Sequence, residues 1–110
     1  MQDRAPEMRR RGEFKTPGGK LIAVEFDIAS GNLHDVVVTG DFFLYPEEAL
    51  PLLSGALEDQ PATLPESEYA ARVQSAIADV ELLGASPEAL ACAVMRAIAA
   101  ADDAGTDRNG

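Results

Sequence analysis

Little in this sequence can carry covalent chemistry. It has one cysteine, one histidine and no tryptophan in 110 residues. A single cysteine cannot form an internal disulfide, which fits a reducing compartment. One histidine and one cysteine supply neither the ligand set of a zinc site nor a nucleophile with its base and orienting group. No apolar run approaches the roughly 20 residues of a membrane span. No apolar h-region follows the charged N-terminus, so the expectation is a soluble, cytoplasmic protein. Cations are also scarce. Nine lysines and arginines face nineteen acids, for a net charge of −10.

The charge is unevenly placed. Residues 1–15 hold five basic and three acidic side chains, whereas residues 16–100 hold three basic and thirteen acidic ones. Such a body repels nucleic acid phosphates. The acidity fits either steering toward a basic partner or maintenance of solubility at high salt. The length allows one domain with one modest core.

Residues 1–12 are polar and lack apolar periodicity, which predicts a disordered lead. The triplet Arg9, Arg10 and Arg11 reads as a solvated run or as an anion or partner contact. An ordered domain is expected over 13–100, and the charged, glycine-containing stretch 101–110 reads as a disordered tail. Within the domain, residues 13–16 are a short strand. Thr16-Pro17-Gly18-Gly19 is a tight turn of type II pattern, with positive φ expected at Gly18. Ile22, Val24, Phe26 and Ile28 alternate with Ala23, Glu25 and Asp27, the period of a strand over 20–29. After the turn at 30–32, a third strand is expected over 33–44.

That third stretch is apolar on both faces. Val36, Val38, Phe42 and Leu44 share one phase, and Val37, Phe43 and Tyr45 share the other. One register cannot hide both sets on one side. Either helices cover part of both faces, or one face meets a partner. Phe42 and Phe43 point oppositely, so one of them is a candidate contact.

Helices follow. Pro46, Glu47 and Glu48 suit a helix start, with Leu50, Leu53 and Leu57 on one side. A loop spans 59–65. A second helix begins near Glu66 or Ser67, shows a stripe of Tyr69, Val73, Ala76, Ile77 and Val80, and is ended by Gly84. Ser86 caps a third helix with Pro87 first and Leu90, Val94, Ala97 and Ile98 as its apolar face. The predicted class is α+β, a small antiparallel three-stranded meander followed by three helices packed on it.

Three segments stand out together: KTPGGKL at 15–21, TGDFFLYPEE at 39–48 and LLGASPEAL at 82–90. In this combination the chain resembles the accessory, C-terminal domain of lipoate–protein ligases, over roughly residues 13–100. The resemblance implies a bipartite arrangement in which a separate catalytic subunit binds ATP, Mg and lipoate. It implies that the accessory subunit is needed for lipoyl-adenylate formation, whereas transfer to the lipoyl carrier domain runs without it. No cofactor is expected on this chain alone, and neither nucleic acid nor membrane is an expected partner. The positions matching the motifs, Lys15, Gly18, Gly19, Lys20, Asp41, Phe42 and Phe43, are then proximal to the partner or the adenylate.

The residues themselves are compatible with that role. Gly18 and Gly19 have no Cβ and permit close backbone approach. Lys15 and Lys20 bracket the turn, where a cation stabilises developing negative charge. The alternative is a structural hairpin with solvated lysines, and Asp41 reads foremost as a cap on a backbone turn. Cys92 reads as a small helix residue. A different class, a sulfur-acceptor or iron–sulfur scaffold, requires it to be reactive.

Overall fold

The computed structural model describes residues 9–106. Three strands, β1 (Arg9–Lys15), β2 (Leu21–Ala29) and β3 (Asn32–Gly40), form an antiparallel meander in that order. A short strand β4 (Phe43–Tyr45), a 3-10 turn (Glu47–Ala49), helix α1 (Leu50–Leu57) and helix α2 (Glu66–Ala76) follow. Strand β5 (Glu81–Leu83) and helix α3 (Pro87–Thr106) complete the fold. The architecture is the expected α+β one.

All three helices lie on one side of the sheet. Ile22, Val24 and Phe26 of β2 and Leu33, Val36 and Val38 of β3 face them and are buried. The helices contribute Leu53 and Leu57, Tyr69 and Val73, and Leu90, Val94 and Ala97. α3 packs over β1 and β2, with α2 against α3 and α1 between α2 and β3. Pro51 sits at the second position of α1, where a missing N–H leaves no intrahelical bond unmade.

A β-bulge makes one face of β3 possible. Asp27 pairs with His34 and Glu25 with Val37, so Phe26 lies opposite two residues, Asp35 and Val36. Asp35 takes up the extra residue at φ 55°. The alternation therefore shifts by one, and Leu33, Val36 and Val38 all point to the core. Glu58 holds the bulge: its two carboxylate oxygens accept the N–H groups of Asp35 at 2.8 Å and Val36 at 3.0 Å. Glu58→Ala is expected to cost about 1–2 kcal/mol and to speed amide hydrogen exchange at Asp35 and Val36. Protection unchanged at both amides would show that the carboxylate is dispensable.

Several expectations need correction. The lead is shorter than 1–12, because residues 9–12 are part of β1. Arg9 pairs with Glu25 and Asp27, Arg11 with Glu13 and Glu25, and Gly12 is buried under α3. The arginine triplet is thus largely an internal lattice of exposed ion pairs, each of small energetic weight. Residues 1–8 lie outside the described residues. α3 continues to Thr106, beyond the expected boundary at 100, and 107–110 lie outside the described residues.

The third strand ends at Gly40, not at 44. Past Leu21 the β2 ladder has run out, so residues 43–45 pair with β5 as a separate two-stranded ribbon. α2 stops at Ala76, and Ile77 leaves helical geometry at φ −110°, ψ 27°. The stretch 81–83, expected to be helical, is the partner strand.

Candidate functional site

The three motif segments meet at one end of the meander. Lys15 pairs with Leu21 where the first hairpin closes. In the turn, the N–H of Gly19 donates to the carbonyl of Thr16 at 2.8 Å, and Gly19 has φ 86°. The positive φ therefore falls on Gly19 and not on Gly18. A turn followed by a left-handed glycine suits the right-handed twist of the hairpin better than a type II turn. Asp41 reaches back to the same place. Its N–H donates to the Leu21 carbonyl at 2.8 Å, and its Oδ2 accepts the Leu21 N–H at 3.4 Å. The carboxylate thus ties off the end of β2, a structural use directed at a strand and not at the helix start.

Gly84 brings in the third segment. At φ 89°, it lies so close that an added Cβ would be 2.9 Å from the Asp41 carbonyl oxygen and 3.3 Å from the Phe42 Cα. Next to it, Phe43 pairs with Leu83 across the ribbon. Ser86 then caps α3, its Oγ accepting the Ala89 N–H at 3.0 Å.

Two concave surfaces flank this junction. The larger, of about 700 Å³, lies between the Thr16–Gly18 turn and the start of α3, with Phe14, Ala89 and the half-buried Cys92 on its walls. Lys20, Glu66 and Glu88 also line it. One cation with two carboxylates leaves the cleft itself without a net attraction for a phosphate. The smaller, of about 350 Å³, is lined by Phe42, Phe43, Leu44 and Leu50, with Glu47 beside them.

The motif positions divide between these surfaces. Gly18 and Lys20 line the first, and Phe42 and Phe43 line the second. Lys15 is exposed at the end of β1, and Gly19 is exposed with no atom within 4 Å of where a Cβ would stand. Phe42 turns inward against the core, while Phe43 is 65% exposed. The opposite phases of the two phenylalanines are those expected from strand geometry. Leu50 and Leu83 were not expected here. Helical spacing places Leu50 on one side with Leu53 and Leu57, and a second helix ended by Gly84 includes Leu83. The signal for Leu83 is the short alternation Val80, Glu81, Leu82, Leu83, with Val80 and Leu82 inward.

His34 belongs to a separate cluster. Its Nδ1 is 3.1 Å from Asp59 Oδ1 and 3.9 Å from Glu58 Oε2. These are ligand types a metal accepts, with donor atoms within 4.8 Å of one another. Both Glu58 oxygens already accept backbone N–H groups at the bulge, so the group has a structural task. No helix among the described residues is long and apolar enough to cross a membrane.

No protein-family model and no curated protein matches the sequence. Among solved structures, the chain is similar to one from an archaeal lipoylation system of Thermoplasma acidophilum, described as a bipartite lipoate protein ligase and its E2 lipoyl domain. The match has a TM-score of 0.51 at 23% identity and covers 78% of this chain and 91% of that one. The two chains are therefore of similar length, and they share a fold.

Proposed function

We propose that this chain is the non-catalytic accessory subunit of a bipartite lipoate–protein ligase, working with a separate catalytic subunit in lipoyl-AMP formation. The observation that carries this reading is the fold shared with a chain of similar length from a bipartite ligase system. The meeting of the turn at 16–19, the Gly40–Phe43 segment and Gly84–Ser86 at one end of the sheet supports it, since these are the segments of the motif resemblance.

In this reading ATP, Mg and lipoate are held by the catalytic subunit. The accessory subunit docks beside the adenylation site and helps to exclude water there. Lys15 and Lys20 lie near the same end of the fold, where they are placed to offset negative charge developing on a neighbouring surface.

The test is reconstitution. The catalytic subunit encoded in the same genome is supplied with ATP, Mg and lipoate, with and without this chain, and lipoyl-AMP is measured. Adenylate formation is expected to rise by about 100-fold or more on addition of the chain, the scale at which completing a preorganised site acts. Transfer from preformed lipoyl-AMP to a lipoyl domain is expected to be unchanged. Equal adenylation with and without the chain would overturn the proposal.

A further inference from the structure

Among the described residues, six large apolar side chains are substantially exposed, and four of them, Phe43, Tyr45, Leu50 and Leu83, adjoin one another. Phe43 and Leu83 are cross-strand partners at 65% and 42% exposure, and Tyr45, at 55%, lies two residues along the same face as Phe43. Phe43 and Leu50 share the smaller groove. A second dent beside it, of about 210 Å³, runs between Leu50 and the edge of β3 at residues 36–38. A run of this kind is more than the scattered exposed leucine of an ordinary surface.

Among the described residues, three glutamates edge this face. Glu47 lines the groove, Glu48 follows it in the 3-10 turn, and Glu81 is the cross-strand partner of Tyr45. All three are exposed, and none forms a salt bridge among the described residues. The contrast with the acids of β1 and β2 is direct: Glu13, Glu25 and Asp27 each face an arginine.

We infer that the face formed by Phe43, Tyr45, Leu50 and Leu83 docks a protein surface with an apolar centre and a ring of arginine or lysine, carried by the catalytic ligase subunit. The identity of that partner rests on the proposed function. The apolar centre supplies the desolvated anchors, and the exposed glutamates set orientation and encounter rate. A second copy of this chain is a poor occupant. A two-fold contact through this face brings like glutamate rims together. Nucleic acid and anionic membranes are repelled by the same rim.

The experiment uses the full chain and the purified catalytic subunit, with binding read by calorimetry between 50 and 300 mM salt (about a 2.5-fold change in screening length). Two double variants are compared with the wild type: Phe43→Ser with Leu50→Ser, and Glu47→Lys with Glu81→Lys. All four side chains are exposed, and circular dichroism and thermal melting check that each variant is folded. The serine pair is expected to weaken the complex by about 100-fold or more, as two central anchors do. Charge reversal is expected to weaken it by about tenfold and to remove its salt dependence.

A wild-type complex that both folded variants reproduce at full affinity overturns this inference and leaves the functional proposal standing. Failure of the wild type to bind the catalytic subunit overturns the functional proposal and this inference with it. A dimer of the chain alone that the serine pair dissociates also overturns it, by showing that a second copy occupies the face.

Discussion

Gly12→Ala is expected to destabilise the protein by about 3 kcal/mol, the upper end of ordinary overpacking. Gly12 is buried in the middle of β1, directly beneath α3. A Cβ built there would clash with the carbonyl oxygen of Ala93 and the backbone nitrogen of Ala97, and would stand 2.9 Å from the Ala97 Cα. These are backbone atoms, with no flexible side-chain end to swing aside. Relief requires α3 to lift off the strand, and that loosens Leu90, Val94 and Ala97 from the core together. Valine is expected to be worse than alanine and to leave little folded protein, since total stability for this size is only about 5–15 kcal/mol. Urea unfolding of both variants measures the loss. Gly55→Ala is the matched control. Gly55 lies in α1, and a Cβ there meets nothing within 4 Å, so alanine is expected to stabilise by about 0.5–1 kcal/mol. If Gly12→Ala is as stable as wild type, the close approach of helix and strand is not a constraint.

Tyr69→Ala should have an equal or larger effect, a loss of about 3–5 kcal/mol. Tyr69 is fully buried, and its hydroxyl donates to the Pro61 carbonyl at 2.6 Å. That bond anchors a loop that is itself sewn to the end of β3. The N–H of Leu33 donates to Gln60 O at 2.9 Å, that of Asp59 to Leu33 O at 2.7 Å, and that of Ala62 to Gly31 O at 2.8 Å. Losing the ring therefore empties the core under α2 and frees the loop that pairs with the start of β3. Tyr69→Phe separates the two effects. It keeps the ring but leaves the Pro61 carbonyl without its donor, at about 1 kcal/mol.

The hydroxyl also has a pH signature. Burial pushes the Tyr69 phenol above its ordinary value of 10.0. The neutral form is thus favoured in the folded state more than in the unfolded chain. The stability tied to it is fully present below pH 10 and is lost as pH rises through the folded value. The advantage of wild type over Tyr69→Phe should hold constant from pH 7 to 9 and shrink in more alkaline buffer. An advantage that grows there would contradict the assignment.

Much of the fold was legible because it depends on periodicity and local chemistry. The alternation around Phe26, the Ser86 cap with Pro87 behind it, and the opposite phases of Phe42 and Phe43 are properties of short segments. What was not legible depends on neighbours distant in sequence. Arg9–Gly12 looks like solvated chain until Glu25 and Asp27 are placed across from it. The ribbon of β4 and β5 joins segments whose Phe43 and Leu83 are 40 residues apart, and each alone is too short to show a period. The Asp35 bulge is invisible to an alternation rule because it breaks the rule to keep Leu33 and Val36 on one face.

The candidate site divides in the same way. The motif segments are legible one by one, and their meeting at one end of the molecule is a product of the fold. The assembled face needed Leu50 and Leu83 in addition, whose exposure follows from packing and not from their own sequence context.

The contact of β1 with α3 also bears on how the protein is made. The Arg10 side chain bonds to the carbonyl of Ile98, 88 residues later, and Gly12 seats Ala93 and Ala97. The ribosome delivers strand first and helix last. At about 5–20 residues per second, the strand waits several seconds before its covering helix exists. Through that interval the part of the nascent sheet that α3 covers, on β1 and β2, is exposed, and the cooperative fold closes only after α3 has emerged. A chain stalled or truncated before Ala93 would therefore be expected to go to chaperones and proteases as an unfinished sheet, with no stable partial domain to accumulate.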